Sequence, residues 1–326
     1  MEQFFNCSIF FCDFFVTCPL ILLGVSAMLS ICIPVYQFGV VNLVNFLHQQ
    51  AEKLQIPFEI WVIDDASGDF YAQENQAITQ LSQVKYQILP QNIGRSAIRN
   101  LLAHQAKYPH LLFMDCDSMP ENENYLANYL QEIGKAKVIC GGRTYASSMD
   151  DKSLYLRWLY GVKRECKSAV ERNIHANHSF MTNNFLIQKE VLLAIPFNTE
   201  LEGYGHEDTL LGYELQKQNI SILHIDNPLR HIGLETADIF IQKTTQGIYN
   251  LQWIVKTLGN CPHFIQSVKL LTYLHLLKKY HLSFFIKFLF QHTHSYCLQN
   301  LRSEHPRLWV FDFYKLGIAL TGEKEI

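Results

Sequence analysis

The chain has 326 residues, 48% apolar and 17% charged, with no repeats or low-complexity tracts; that suffices for one large domain with appendages and excludes global disorder, solenoids and coiled-coil rods. Its net charge of −3 provides no basic footprint for a nucleic acid partner. Nine cysteines without a CxxC pair or a Cys/His metal spacing read as reduced thiols of a cytoplasmic protein, not as a disulfide framework.

Residues 1–28 form a hydrophobic extension. No Asp, Glu, Lys or Arg occurs from Phe14 to Ala51, and Phe14–Ile33 has the length and polarity of a bilayer span. The flanks are wrong for one, because the first basic residue of the chain is Lys53. Leu29–Val35 also reads as a buried parallel strand, which competes for the same residues. Three readings stand: an extension upstream of a natural start at Met28, a surface-seeking segment, or a transmembrane anchor. The lack of a linker before the strand weakens the last.

Strand and helix patterns then alternate. Leu29–Val35 is a strand and Gly39–Leu54 a helix. Glu59–Ile63 is a strand closed by Asp64-Asp65, and a helix is expected around Gln73–Leu81. Tyr86–Leu89 is extended, Ile93–Gln105 helical, and His110–Met114 a strand closed by Asp115-Cys116-Asp117. Lys137–Gly141 adds another strand. Short, wholly apolar strands alternating with helices predict an α/β fold with a mainly parallel sheet covered on both faces. Ligands of such sheets bind at the carboxyl ends of the strands, where these aspartates stand.

Asp115 and Asp117 share one turn, so one carboxylate can meet a divalent cation and the other a sugar hydroxyl. Hard oxygen ligands suit Mg²⁺ or Mn²⁺. Asp64 or Asp65 can accept from a base or ribose, or cap a helix. Asn92-Ile93-Gly94 leads into Arg95 and Arg99, four apart on one helix face, fit for phosphate or for salt bridges. Gly203-Tyr204-Gly205-His206 leads into Glu207 and Asp208 at the start of the amphipathic stretch Thr209–Gln218. An Asp or Glu there can act as a general base, kept ionised by the helix dipole, or merely cap the helix. His231, after the apolar run Ile220–Ile225, can give imidazole nitrogen to Mn²⁺. Thr182-Asn183-Asn184 either lines a pocket or makes a turn.

Ile33–Tyr36 (IPVY), Asp64–Ser67 (DDAS), Asn92–Asn100 (NIGRSAIRN), Asp115–Asp117 (DCD), Thr182–Phe185 (TNNF) and Gly203–Thr209 (GYGHEDT) fall in an order that resembles the family 2 glycosyltransferases of GT-A fold, over about residues 29–235. Phe311–Gly317 also resembles the C-terminal part of small bacterial members. The resemblance implies a GT-A, Rossmann-like domain over 29–235, with a nucleotide-sugar half (29–140) and an acceptor half (141–235). It implies an inverting transfer from a nucleotide sugar, expected as a UDP-sugar, to a glycan or lipid-linked acceptor, with Mn²⁺ or Mg²⁺ as cofactor. Pro34, Tyr36, Asp64, Asp65, Asn92, Arg95, Arg99 and Asp115 would serve nucleotide and donor. Asp117 would bind the metal, joined by His231. Asp208 would be the base with Glu207 beside it, and Asn183, Asn184, Gly205 and His206 would line the acceptor pocket. The centre of DCD is a cysteine, whose side chain is expected to point elsewhere. The QxxRW signature of processive synthases is absent, which argues for transfer of a single sugar.

Residues 236–326 form a basic, amphipathic helical tail of net charge +5, against −8 for residues 1–235. Its apolar stretches Leu270–Leu277 and Leu282–Phe290, with Lys278, Lys279 and Lys287, fit either packing on the main domain or contact with an anionic membrane surface. The latter places the protein peripherally at the inner face of the cell membrane. Rival readings are a non-catalytic nucleotide-sugar-binding or scaffold protein, an integral membrane polymerase subunit, and a nucleotidyltransferase. The last would want a basic phosphate loop, and Pro34–Gly39 has no Lys or Arg.

Overall fold

The computed structural model describes residues 28–322; the alternatives for residues 1–27 lie outside them. The chain runs β1 (Leu29–Val35), α1 (Val41–Leu54), β2 (Phe58–Asp64), α2 (Asp69–Asn75), β3 (Val84–Ile88), α3 (Arg95–Gln105), β4 (His110–Met114), β5 (Ser118–Pro120), α4 (Tyr125–Leu130), β6 (Val138–Cys140), β7 (Arg143–Thr144), α5 (Tyr155–Tyr160), α6 (Ala169–Asn173), β8 (Asn184–Gln188), α7 (Lys189–Ala194), α8 (Glu207–Lys217), β9 (Ile222–His224) and β10 (Leu229–His231). Five helices follow: α9 (Ala237–Thr257), α10 (Pro262–Ser267), α11 (Lys269–Lys279), α12 (Ser283–Leu301) and α13 (Leu308–Thr321).

Seven strands form one sheet in the order β3-β2-β1-β4-β8-β6-β9. All its neighbours are parallel except β8, which runs antiparallel to both β4 and β6. The apolar strands feed two cores. Ile31, Ile33, Val62 and Leu112 pack toward α1 and α4, while Cys32, Ile63, Leu111 and Phe113 pack toward α3, α7 and α8. A residue period of two sorts neighbours on one strand to opposite faces, which is why these strands read as continuous apolar runs.

The order reverses between β1 and β4, so the crevice of the sheet opens there. Pairing of β1 with β4 ends at Cys32–Phe113, while pairing with β2 continues through Pro34–Ile63. Pro34 has no N–H to offer, and it sits where the ladder toward β4 has already stopped. Tyr36 leaves one lip of this crevice and Asp115–Asp117 the other.

Two expectations shift. The helix placed at Gln73–Leu81 begins at Asp69 and tightens to a 3₁₀ turn over Gln76–Gln80. Its inward contacts come from Asn75, which bonds Val40 N–H and Phe38 C=O at 2.8 and 3.0 Å, and from Ile78; a buried asparagine hides the element from a hydrophobic-period reading. The strand at Tyr86–Leu89 starts two residues earlier, at the half-buried sheet edge.

Candidate active site

A three-stranded sheet, β5-β10-β7, folds over the β4 end of the crevice. β10 pairs antiparallel to β5 with His231 opposite Ser118. That register brings His231 Nδ1 to 3.4 Å from Asp117 Oδ1. The Asp117 carbonyl accepts the N–H groups of Ile232 and Gly233 at 2.8 and 3.2 Å. Burial works to raise the Asp117 pKa, but His231, Arg143 and Arg95 hold it well below the usual carboxylate range. His231 is buried and neither ring nitrogen has a hydrogen-bond partner. An orphaned imidazole facing an ionised carboxylate is a donor set that Mn²⁺ accepts. Among the described residues no group of three or more His, Cys, Asp or Glu converges.

A side chain at Gly233 would place its Cβ 2.5 Å from the Asp117 Cβ. Gly233→Ala is therefore expected to displace Asp117 and raise the Mn²⁺ concentration for half-maximal activity about tenfold or more, measured by metal titration of turnover.

Asp115 has its N–H on the Asn183 carbonyl at 3.1 Å and its carboxylate between two arginines. Arg99 Nη2 lies at 2.8 Å and Arg143 Nη2 at 3.4 Å. Arg99 is 2% exposed and also donates to the Arg95 carbonyl. This corrects the expectation that Arg99 meets the nucleotide: it is a buried post for Asp115. Arg143 and Arg157 share Glu165, each at 3.2 Å, and the Tyr145 hydroxyl donates to the same carboxylate. Glu165 closes a π turn after α5. The Cys116 side chain packs against the core cluster that includes Val40 and Leu43.

Asp64 and Asp65 are also spent on the fold. Asp64 is fully buried and accepts from Ser67 N–H at 2.7 Å and the Tyr86 hydroxyl at 2.9 Å. Asp65 accepts from the N–H groups of Ile93 and Gly94 at 2.7 and 3.0 Å, and Asn92 Nδ2 donates to its carbonyl at 3.2 Å. The expectation that Asp64 holds the nucleoside directly is corrected, since no oxygen faces outward; Asp65 and Asn92 shape the loop that starts α3. Tyr36 remains at this lip, 51% exposed.

Arg95 opens α3 and faces the other wall. Its Nε lies 3.6 Å from Glu207 Oε1 and its guanidinium stacks on Tyr204 at 4.7 Å. The charges of Asp115 and Asp117 also act on it. The start of α8 and the DCD turn thus meet at Arg95, which lies between them.

Glu207 and Asp208 open α8 and split in character. Burial raises Glu207, but Arg95 and Arg99 outweigh it and its pKa falls. Burial and the neighbouring Glu207 push Asp208 up to about 6, against the pull of its bonds from Thr209. The adjacent charge and burial outweigh the helix dipole here, and a carboxyl near 6 is still largely ionised at neutral pH. A carboxylate near 6 suits a base working close to neutrality. His206, pushed down to about 4 by burial, is neutral and lies 3.0 Å from Thr209 Oγ1.

Asn184 is removed from the acceptor pocket. Its Oδ1 takes the hydroxyls of Tyr125 and Tyr129 at 2.7 and 2.6 Å, and its Nδ2 donates to the Gly142 and Asn227 carbonyls at 2.9 Å each. All four of its hydrogen-bonding positions are filled. Asn183, beside Asp115, is 1% exposed and its amide has no partner. Gly205 stays at the cleft, with φ of 102° and only 3.1 Å between a Cβ there and Gly247 Cα.

That contact belongs to a feature the sequence left unread. Asn250 of α9 donates to the carbonyls of Glu202, Tyr204 and Gly205 at 2.9, 3.3 and 3.2 Å. The first tail helix therefore pins the glycine loop that presents Asp208. Asn250→Ala is expected to lower kcat/KM about tenfold and to cost about 1–3 kcal/mol in unfolding free energy, because three carbonyls lose their shared donor; steady-state kinetics and urea denaturation read both.

Arg143, Tyr145, Arg157, Glu165 and Asn250 were not anticipated. Arg143 stands just past an apolar strand, where strand ends carry function, so a signal existed. Glu165 and Asn250 sit in ordinary helical sequence and had none.

The sequence profile described as glycosyl transferase family 2 matches residues 30–198. The chain belongs to this family of glycosyltransferases, and its fold is GT-A. No curated protein sequence matches it. The mannosyltransferase PcManGT from Pyrobaculum calidifontis, solved with GDP-Man and Mn²⁺, is similar with a TM-score of 0.56 at 12% identity, over 91% of this chain and 88% of that one. Mannosyl-3-phosphoglycerate synthase from Rubrobacter xylanophilus gives 0.51 at 14% identity, over 72% and 76%.

Proposed function

We propose that this chain is a metal-dependent, inverting glycosyltransferase that moves one sugar from a nucleotide sugar to a hydroxyl of a glycan or lipid-linked acceptor at the inner face of the cell membrane. The observation that carries it is Arg95, which meets Glu207 and Tyr204 within the field of Asp115 and Asp117. Uracil is proposed as the base on the family resemblance.

Asp208 takes the proton of the acceptor hydroxyl as that oxygen attacks the anomeric carbon. The bond from that carbon to the diphosphate oxygen breaks with its electron pair leaving on the diphosphate, and the configuration inverts. Arg95 keeps Glu207 ionised, and the Glu207 charge keeps Asp208 basic. Arg99 and Arg143 hold Asp115 toward the donor. Asp117 and His231 would hold Mn²⁺ or Mg²⁺, which when bound offsets charge on the leaving diphosphate.

Tyr36 stacks on the base in this reading. Tyr36→Ala is expected to raise the donor KM about tenfold with little change in kcat, measured by donor titration. The reading as a whole is tested by incubating the protein with UDP-, GDP- and dTDP-sugars, with Mn²⁺ and with chelator. Metal-dependent release of nucleoside diphosphate from one donor supports it. Binding of a nucleotide sugar without any release, whatever the acceptor supplied, would favour the non-catalytic alternative.

A further inference from the structure

Helix α12 carries apolar residues on two sides. α12 packs Phe290, Cys297 and Leu301 inward against Val310, Phe311 and Tyr314 of α13. That stripe satisfies the helix as a core element. Its other side nevertheless carries Phe284, Phe285 and Phe288, which are 80%, 61% and 51% exposed. Leu282 and Tyr280 on the turn before it, and Tyr273 on α11, are exposed as well. Together they form one corner between two helices, apolar outside as well as inside. An ordinary surface helix confines its apolar residues to the face it buries.

Charge says what covers this corner. From Ile239 to Ser303 the chain has no Asp or Glu, but it has Lys243, Lys256, Lys269, Lys278, Lys279, Lys287 and Arg302. Lys278, Lys279 and Lys287 are exposed among the aromatic residues. Aromatic side chains interleaved with lysines, free of carboxylates, complement a surface of anionic headgroups over hydrocarbon. Among the described residues no helix is long and apolar enough to cross a membrane, so the contact is with the surface.

We propose that the α11–α12 corner docks on an anionic lipid bilayer, the aromatic residues entering the headgroup boundary and the three lysines lying on the phosphates. This deepens the peripheral placement proposed for the enzyme and gives it an address. Its failure would leave the donor-release experiment untouched, so the two readings fall separately.

The test is co-sedimentation of the full chain with vesicles of phosphatidylcholine alone and of an equal mixture with phosphatidylglycerol, at low and high salt. Binding is expected only to the anionic vesicles and should weaken with salt. Phe284→Ser, Phe285→Ser and Phe288→Ser combined should lower partitioning at least about tenfold. Lys278→Gln, Lys279→Gln and Lys287→Gln combined should lower it by a similar factor. Donor turnover in solution and the thermal midpoint should be unchanged, because these side chains are exposed and remote from the cleft residues. Equal binding to neutral vesicles would overturn the proposal. So would undiminished binding by the phenylalanine variant, which would move the contact elsewhere in the chain. A phenylalanine variant that turned a dimer into a monomer while still binding vesicles would assign the corner to a second copy instead.

Discussion

Asp208→Asn is expected to abolish turnover and, at the same pH, to make the protein more stable. In the folded chain the Asp208 carboxyl sits near 6 instead of 3.8. The native state therefore holds this proton more tightly than the unfolded chain does. The stability this provides is complete below pH 3.8 and is lost as pH rises through about 6. Above that, the wild type carries an ionised carboxylate beside Glu207 at a cost on the order of 3 kcal/mol. Asparagine keeps the oxygen that accepts from Thr209 and removes the charge. Thermal unfolding at pH 8 should show a midpoint a few degrees above wild type, with the gap closing toward pH 4. Turnover should fall about 10²–10⁴-fold, the usual worth of a positioned base. In the wild type, kcat/KM should decline with an acid limb near pH 6. A variant that kept its activity, or gained no stability at pH 8, would show that Asp208 is neither the base nor the group under strain.

Arg99→Ala should destabilise the fold although Arg99 is buried behind Asp115. Arg99 is 2% exposed and its partner Asp115 lies 2.8 Å away. Removing one partner of a buried ion pair leaves the other charge without compensation, which costs about 3–5 kcal/mol. Arg143, at 3.4 Å on the other carboxylate oxygen, softens the loss; the low end of that range is therefore expected. Urea denaturation would measure it. The double variant Arg99→Ala with Asp115→Ala should be less destabilised than the sum of the single ones by more than about 1 kcal/mol. Simple additivity would mean that Arg99 stabilises the fold by packing on Phe197, whose ring lies 5.8 Å from its guanidinium, and not by holding Asp115.

Much of this was legible in the residues because the strands are apolar on both faces and end in carboxylates. The runs at Leu29–Val35, Glu59–Ile63 and His110–Met114 announce a covered parallel sheet, and Asp117 marks its crevice. The pairing of His231 with Asp117 was readable as chemistry, but the strand register that produces it was not. β10 has three residues, LRH, too few for a periodic signal. The antiparallel β8 was hidden for a related reason, since an apolar run does not tell its direction. Asp64, Arg99 and Asn184 misled because their residue types suit a ligand as well as they suit a buried node. Only the count of filled hydrogen-bond positions separates the two. The boundary between main domain and tail, drawn at a change of net charge after residue 235, crosses the contact of Asn250 with the loop that leads into α8. Charge composition marks where a chain changes character; it does not mark where packing stops.

The central claim is that the DCD turn with His231 and the Glu207-Asp208 helix divide the labour of one reaction. Binding and turnover of the donor, with and without Mn²⁺, in wild type, Asp117→Ala and Asp208→Asn measure that division directly. Asp117→Ala should lose both metal-dependent donor binding and turnover. Asp208→Asn should bind donor and Mn²⁺ as the wild type does and release no nucleoside diphosphate. Metal-dependent turnover surviving in Asp117→Ala, or turnover surviving in Asp208→Asn, would contradict the account.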